Sequence, residues 1–313
     1  MFIFLLRRIG EGVFLIFIVT AITFFLTFGA DVPVALNILG PNASADQIAT
    51  LEGQLGLDQP ILQQYWNWLT GVFRGDLGRS YFTSEPVATA IGARLPVTLS
   101  VVLVACVITI VVSLLLGVTA AARGGIVDTI LQGVSTISFV FPAIILGIGM
   151  VFIFAITLQW VPAVGYVPIG DSFGGWFASV ILPAIVLAIG GIAALAAQIR
   201  GSLIDELGRE YVRTLRSRGV SERAILLKHA LRNSASPALT TFSLQFITLF
   251  GASLFIEKIF ALPGYGTYGY TATIQGDLPA MLGVSLFGVA LVVVVNLVVD
   301  VANGWLNPKA RVA

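Results

Sequence analysis

Six long stretches of this chain contain no ionisable side chain: residues 12–30, 95–122, 129–170, 172–199, 233–256 and 278–299 have no Asp, Glu, Lys, Arg or His. A helix rising about 1.5 Å per residue needs about 20 apolar residues to cross a hydrocarbon core of about 30 Å. These stretches meet that requirement, so an all-α integral membrane fold is expected. Only 11% of the residues are charged, against about a quarter in an ordinary globular domain. Length alone suggests two soluble domains at roughly 100–200 residues each, but the apolar runs overrule it. They exclude a soluble enzyme, a nucleic-acid binder and a disordered chain.

Six spans are predicted, at about Ile9–Ala30, Pro96–Ala122, Asp128–Leu158, Ser179–Ile199, Pro237–Phe260 and Pro279–Asn303. The first has a cleavable signal peptide as its competitor, because Arg7 and Arg8 flank it. Phe24-Phe25-Leu26-Thr27-Phe28 lacks the small-x-small end that cleavage needs, which favours a retained helix. An even number of spans puts both termini on one side. That side carries 13 Lys and Arg residues, and the other only Arg74, Arg79, Arg94 and Lys258. Positive loops stay cytoplasmic, so both termini and the loop at about 200–236 are expected in the cytosol. Residues 1–95 then form the first span with a large extracytoplasmic loop, and residues 96–313 a five-helix core.

The outer loop has its own pattern. Asn42 to Ile48 reads as a helix start capped by a serine or aspartate. From Pro60 to Phe73, helical spacing puts Ile61, Leu62, Tyr65, Trp66, Leu69 and Phe73 near one face, suiting a helix at headgroup level. Trp160 and Trp176, at span ends, read as interfacial anchors.

No group at membrane depth can titrate, which argues against a proton-coupled carrier; sodium could still be held by carbonyls and hydroxyls. No lysine sits in a phosphate-binding loop. One cysteine, Cys106, and one histidine, His229, rule out an intrachain disulfide and a Cys/His metal site. The neutral polar residues Gln132, Ser135, Ser138, Ser243, Gln245, Thr248 and Asn296 have two readings. They bond between helices, or they line a path, with Ser138, Ser243 and Gln245 the path candidates. Asn296 and Asp300, four apart, read as a structural cap or subunit contact.

The segment from Arg200 to Pro237 gathers eight basic and four acidic residues. Gly219 separates two helical patterns. Ser221 follows as an N-cap, with Glu222 in the first turn, where the helix dipole favours an anion. Leu203, Leu207, Val212, Leu215, Ile225 and Leu226 supply apolar anchors. Such a helix could seat in a groove on a cytosolic partner, or rest on anionic headgroups.

Tyr211-Val-Arg-Thr-Leu-Arg-Ser-Arg-Gly219, followed by Leu226-Leu-Lys-His-Ala-Leu-Arg-Asn233, resembles the coupling loop of binding-protein-dependent ABC importer permeases in the dipeptide/oligopeptide branch. Arg213, Thr214 and Leu215 stand where the general pattern has E-A-A, and Arg232 replaces its proline. Further resemblances lie at Leu55–Pro60, Gly75–Tyr81, Arg94–Leu99, Glu257–Gly266, Asn296–Asp300 and Asn307–Arg311; Gly29–Pro33 departs from the usual P-G-D-P.

The resemblance implies a type I ABC importer permease in a bacterial or archaeal cell membrane. Its implied partners are a second homologous permease, two cytosolic ATPases and an extracytoplasmic solute-binding protein. ATP and magnesium belong to the ATPases, so the chain itself is no enzyme and holds no cofactor. Glu210, Tyr211, Arg213, Thr214, Arg216, Arg218, Gly219, Val220, Ser221 and Glu222 are the implied ATPase-coupling residues. Asp58, Asp76 and Glu85 offer polar contacts for the binding protein. The implied cargo is a dipeptide or oligopeptide, with nickel, glutathione and oligosaccharides as alternatives within the branch. A secondary carrier and a scaffold that transports nothing are the readings outside it.

Overall fold

The computed structural model describes residues 2–30, 32–126, 129, 133 and 143–306. Among the described residues every extended element is helical: α1 (Phe2–Gly29), α2 (Val34–Leu39), α3 (Ala45–Leu55), α4 (Ile61–Phe73), α5 (Val87–Arg123), α6 (Ala143–Met150), α7 (Phe173–Leu207), α8 (Glu210–Ser217), α9 (Glu222–Ile259), α10 (Tyr265–Gln275) and α11 (Leu278–Leu306). Wider π-type turns prolong α6 over Val151–Thr157 and form Ile225–Ala230 within α9.

Among the described residues five helices are long and apolar enough to cross a membrane: Leu6–Gly29, Val87–Arg123, Phe173–Leu207, Glu222–Ile259 and Leu278–Trp305. Ile144–Thr157 is apolar but shorter. Much of the remainder of the span expected at 128–158, including Gln132, Ser135 and Ser138, lies outside the described residues.

Several span boundaries differ from the sequence reading; the span expected at Ser179–Ile199 runs from Phe173 to Leu207. Pro96 and Pro237 do not begin their helices, which run through them from Val87 and Glu222; Pro183 is likewise internal to α7. Each proline loses one backbone bond, a cost a buried helix tolerates when neighbours re-satisfy the freed carbonyl.

The described chain divides into two compact units. One comprises Thr98–Leu262 and the chain from Val295 onward. Its core sets Leu195, Ile199 and Leu203 of α7 against Ala230 of α9, with Leu207, Leu226 and Phe242 around them. α5 approaches α7 at Gly117, where a Cβ would stand 2.9 Å from the Ala196 carbonyl oxygen. Small residues of this kind let membrane helices pack closely. The Ser113 hydroxyl donates to the Ile192 carbonyl at 3.0 Å beside that contact.

The other unit comprises Phe2–Val97 and Pro263–Val294. α1 and the first half of α11 run alongside each other: Thr27 donates to the Met281 sulfur, Thr23 to the Ser285 hydroxyl at 3.2 Å, and Gly12 faces Val293. Phe24, Tyr65, Leu278 and Leu282 form the core, bringing α4 against both helices. Ser44 caps α3 as expected, accepting from the Gln47 N–H while the Gln47 side chain accepts from Ser44. On α4 the expected apolar face is split. Tyr65 is buried and Leu69 half-buried, whereas Leu62, Trp66 and Phe73 are exposed.

Candidate functional site

The segment expected as a loop at 200–236 is almost wholly helical. α7 continues to Leu207, α8 spans Glu210–Ser217, and α9 begins at Glu222. Only Gly208–Arg209 and Arg218–Ser221 lie between helices. The elbow is therefore a short helix clipped between the extended ends of two apolar helices.

Local chemistry fixes both of its corners. At the end of α8, the Gly219 N–H donates to the Arg216 carbonyl and the Val220 N–H to the Leu215 carbonyl, at 3.0 and 3.1 Å. This paired closure requires a left-handed residue, and Gly219 supplies it with φ of +74°. Ser221 then caps α9 by accepting from the Ala224 N–H. Across the glycine, Arg216 grips Glu222 with Nε to Oε1 at 2.7 Å and Nη2 to Oε2 at 3.1 Å. The hydrogen bond from Arg216 holds the Glu222 carboxyl below its ordinary range, and Glu222 raises Arg216 in return. A two-point fork of this kind fixes direction as well as distance.

The first corner rests on a residue the sequence did not single out. Glu206, near the end of α7, is buried, and its carboxylate accepts from Asn233 of α9 at 3.0 Å and pairs with Arg209 at 2.8 Å. Asn233 also donates to the Tyr211 hydroxyl at 3.4 Å. Glu206 and Asn233 are 27 positions apart, so no local spacing signals their meeting. Val212 and Ile225 are fully buried and anchor α8 and α9 from below. Glu210, Arg213, Thr214, Arg216, Arg218, Gly219, Ser221 and Glu222 are exposed on the outer surface of the elbow, with Tyr211 and Val220 partly covered. The residues expected to couple thus lie along α8 and its C-terminal corner, most of them exposed.

The polar candidates within the helices separate. The Ser243 hydroxyl donates to the side-chain amide oxygen Oδ1 of Asn296 on α11, which makes it an interhelical bond. Gln245 packs closely on Gly191 of α7 and borders a cleft of about 330 Å³ with Thr248, Gly190 and Phe255. Ser138 lies outside the described residues. Among the described residues no cluster of His, Cys, Asp or Glu could hold a metal ion.

In the outer loop, Asp76 accepts from the Gly78 N–H at 2.8 Å, and Glu85 stands 3.5 Å from Arg94. Asp58 is exposed. The buried acid of this unit is instead Asp277, which receives the Ser80 hydroxyl at 2.5 Å and the Tyr81 N–H at 3.2 Å. Burial, together with the Asp277 charge, pushes the Tyr81 phenol up to about 12.

Long apolar helices joined by a compact charged elbow define an integral membrane protein. The chain belongs to the family described as binding-protein-dependent transport system inner membrane component, which matches residues 113–312, with the N-terminal family of the same systems matching residues 1–102. It is 40% identical over 308 residues to a Brucella abortus (strain 2308) protein whose name gives it as a peptide transport system permease protein, covering 98% of both chains. It is 33% identical over 309 residues to the glutathione transport system permease protein GsiC of Escherichia coli O6:H1, again covering 98% of each. Its fold is similar to a chain of the MetNI methionine ABC transporter, with a TM-score of 0.58 and 19% identity, covering 72% of this chain and 100% of that one.

Proposed function

We propose that this chain is the permease subunit of an ATP-driven importer that passes peptides from an extracytoplasmic solute-binding protein into the cytosol. The observation that carries this reading is α8, a short charged helix held by a buried carboxylate at one end and an arginine–glutamate fork at the other. Peptide cargo rests on the names of relatives, one given to a peptide system and another to glutathione, itself a tripeptide.

In this reading the fold has six spans with both termini in the cytosol of a bacterial or archaeal cell, as the bias of Lys and Arg favours. Residues 1–95 contribute the first span and an outer domain; residues 96–313 contribute the core. α8 is the coupling helix. Two separate ATPase subunits bind ATP and magnesium, close on each other, and push on Glu210, Tyr211, Arg213, Thr214, Arg216, Arg218, Gly219, Val220, Ser221 and Glu222. The ends of α7 and α9 transmit that movement, opening a path shared with a second, homologous permease. Gln245 and Ser138 are offered as polar positions on that path; Ser243 serves packing through Asn296.

The test is ATP-dependent uptake of labelled di- and oligopeptides into proteoliposomes containing the chain copurified with its genomic neighbours. Uptake that needs ATP, and is lost in Gly219→Pro while the complex still assembles, supports the reading. Accumulation that persists without the ATPase subunits overturns it in favour of a secondary carrier.

A further inference from the structure

We infer that α4 dips into the outer half of the hydrocarbon layer, presenting Leu62, Trp66 and Phe73 to lipid acyl chains. This rests on the reading of α1 and α11 as spans and not on what the protein transports. It replaces the headgroup-level position that composition alone suggested.

The depth follows from two helices that agree with each other. In sequence, the ionisable residues bracketing the uncharged stretch of α1 are Glu11 and Asp31; those bracketing α11 are Asp277 and Asp300. At about 1.5 Å per residue these brackets stand about 30 and 34 Å apart, matching a hydrocarbon core. Their midpoints fall near residue 21 of α1 and residue 288 of α11. The pairings of Thr27 with Met281 and Thr23 with Ser285 set those midpoints level. Tyr65 of α4 reaches this depth: its hydroxyl is 3.1 Å from the Thr20 hydroxyl and donates to the Phe17 carbonyl at 3.4 Å. Its ring lies 5.2 Å from that of Phe24 and 6.2 Å from that of Phe17.

Composition permits the position. From Ile61 to Phe73 α4 carries no charge. Two of its three side-chain amides are spent locally: Gln64 donates to the Leu57 and Gln59 carbonyls, and Asn67 to the Gln59 side chain. On the opposite side Leu62, Trp66 and Phe73 are 72%, 64% and 83% exposed. At 100° per residue these three share one flank, beside the Tyr65 line that packs on α1. α1 itself exposes Phe14, Phe25 and Leu26, so the apolar flank of α4 continues the lipid-facing surface of a span. Irregular chain at such depth is tolerated where a polar edge lines a wet crevice. The cleft of about 190 Å³ bordered by Gln59, Gln64, Asn67 and Trp68 provides one.

Single cysteines at positions 62, 66, 73 and 63, in a Cys106→Ala background, test this with spin labels on the copurified complex in phosphatidylcholine nanodiscs. Collisions with oxygen severalfold above those with a water-soluble nickel chelate are expected at 62, 66 and 73, with the reverse at 63. Nickel-chelate access at 62, 66 and 73 equal to that at a label on Asp46 would overturn the inference and place the outer turns of α1 in water. Protection from both reagents would also overturn it, by making this flank a protein contact. If the cysteine variants fail to assemble, lipids brominated at mid-chain must quench native tryptophan fluorescence, and Trp66→Phe must remove part of that quenching. Equal quenching with and without Trp66 counts against the inference.

Discussion

The Asn233 amide donates to the buried carboxylate of Glu206 at 3.0 Å and so ties the C-terminal end of one long helix to the first third of another. Arg209 completes the group at 2.8 Å. Removing the carboxylate as Glu206→Ala leaves two donors without their acceptor. Hydrogen bonds to charged groups contribute about 1.5–3 kcal/mol, and a loss of that order is expected in detergent unfolding. Asn233→Ala should reproduce most of it, and the double variant should cost less than the two single losses added together. A strictly additive result would mean the two residues act apart.

Gly219 separates backbone demand from space. Nothing lies within 4 Å of a Cβ built there, yet φ is +74°. Gly219→Ala is therefore expected to cost only the left-handed strain, about 1–2 kcal/mol, and Gly219→Asn less. Gly219→Pro is incompatible with the angle and deletes the N–H that closes α8. Graded hydrogen exchange in α8, slowest in wild type and fastest in the proline variant, is the expected readout.

The Arg216–Glu222 fork is solvent-exposed, so its contribution to global stability is expected to be small. Its effect should appear locally. Arg216→Ala is expected to speed proteolysis between Arg218 and Ser221, and salt near 1 M, where the screening length is about 3 Å, should do the same to wild type while adding little to the variant. Because Glu222 titrates below its ordinary value, the fork's contribution is present at neutral pH. It is lost only as pH falls through that lowered value.

Asp277 has the opposite sign. Burial raises its carboxyl above the ordinary range, against the Ser80, Tyr81 and Ala280 hydrogen bonds that lower it. A folded state that binds the proton more tightly than the unfolded chain gains stability as pH falls. The Asp277 contribution should therefore be greatest at or below the ordinary aspartate value and decline as pH rises through the raised one. The difference between wild type and Asp277→Asn, measured across that window, isolates it from the other carboxylates. A difference independent of pH would remove the claim.

Gly117→Ala is expected to destabilise by about 1–3 kcal/mol, since the new methyl would meet the Ala196 carbonyl, a backbone atom that cannot swing aside. Gly10→Ala, with open space around it, serves as the neutral comparison. Unfolding midpoints of the two variants should differ clearly.

What could be read in advance followed from local rules. Uncharged runs announced the long helices, and Gly219 with Ser221 announced a break and restart, because left-handed backbone and capping act within a few residues. Helices that continue through Pro96 and Pro237 were missed, since a proline disfavours the helix locally and only the surrounding packing decides whether it is tolerated. Glu206 with Asn233, Ser80 with Asp277 and Thr20 with Tyr65 are separated by 27, 197 and 45 positions. Only packing brings such residues together. Ser243 kept two readings, a bond between helices or a place on a path, because a hydroxyl on an apolar helix has the same appearance whether it faces water or Asn296; its hydroxyl is bonded to Asn296.

Two residues, Gly208 and Arg209, are all that joins α7 to α8, and four join α8 to α9. A pair of residues at full stretch reaches only about 7 Å. Anything that shifts α8 farther than this must drag the foot of α7 with it or unravel its last turn. On the proposed reading the joint has almost no backlash, and a stroke applied to α8 would be delivered to the helices it joins instead of being taken up in loose chain.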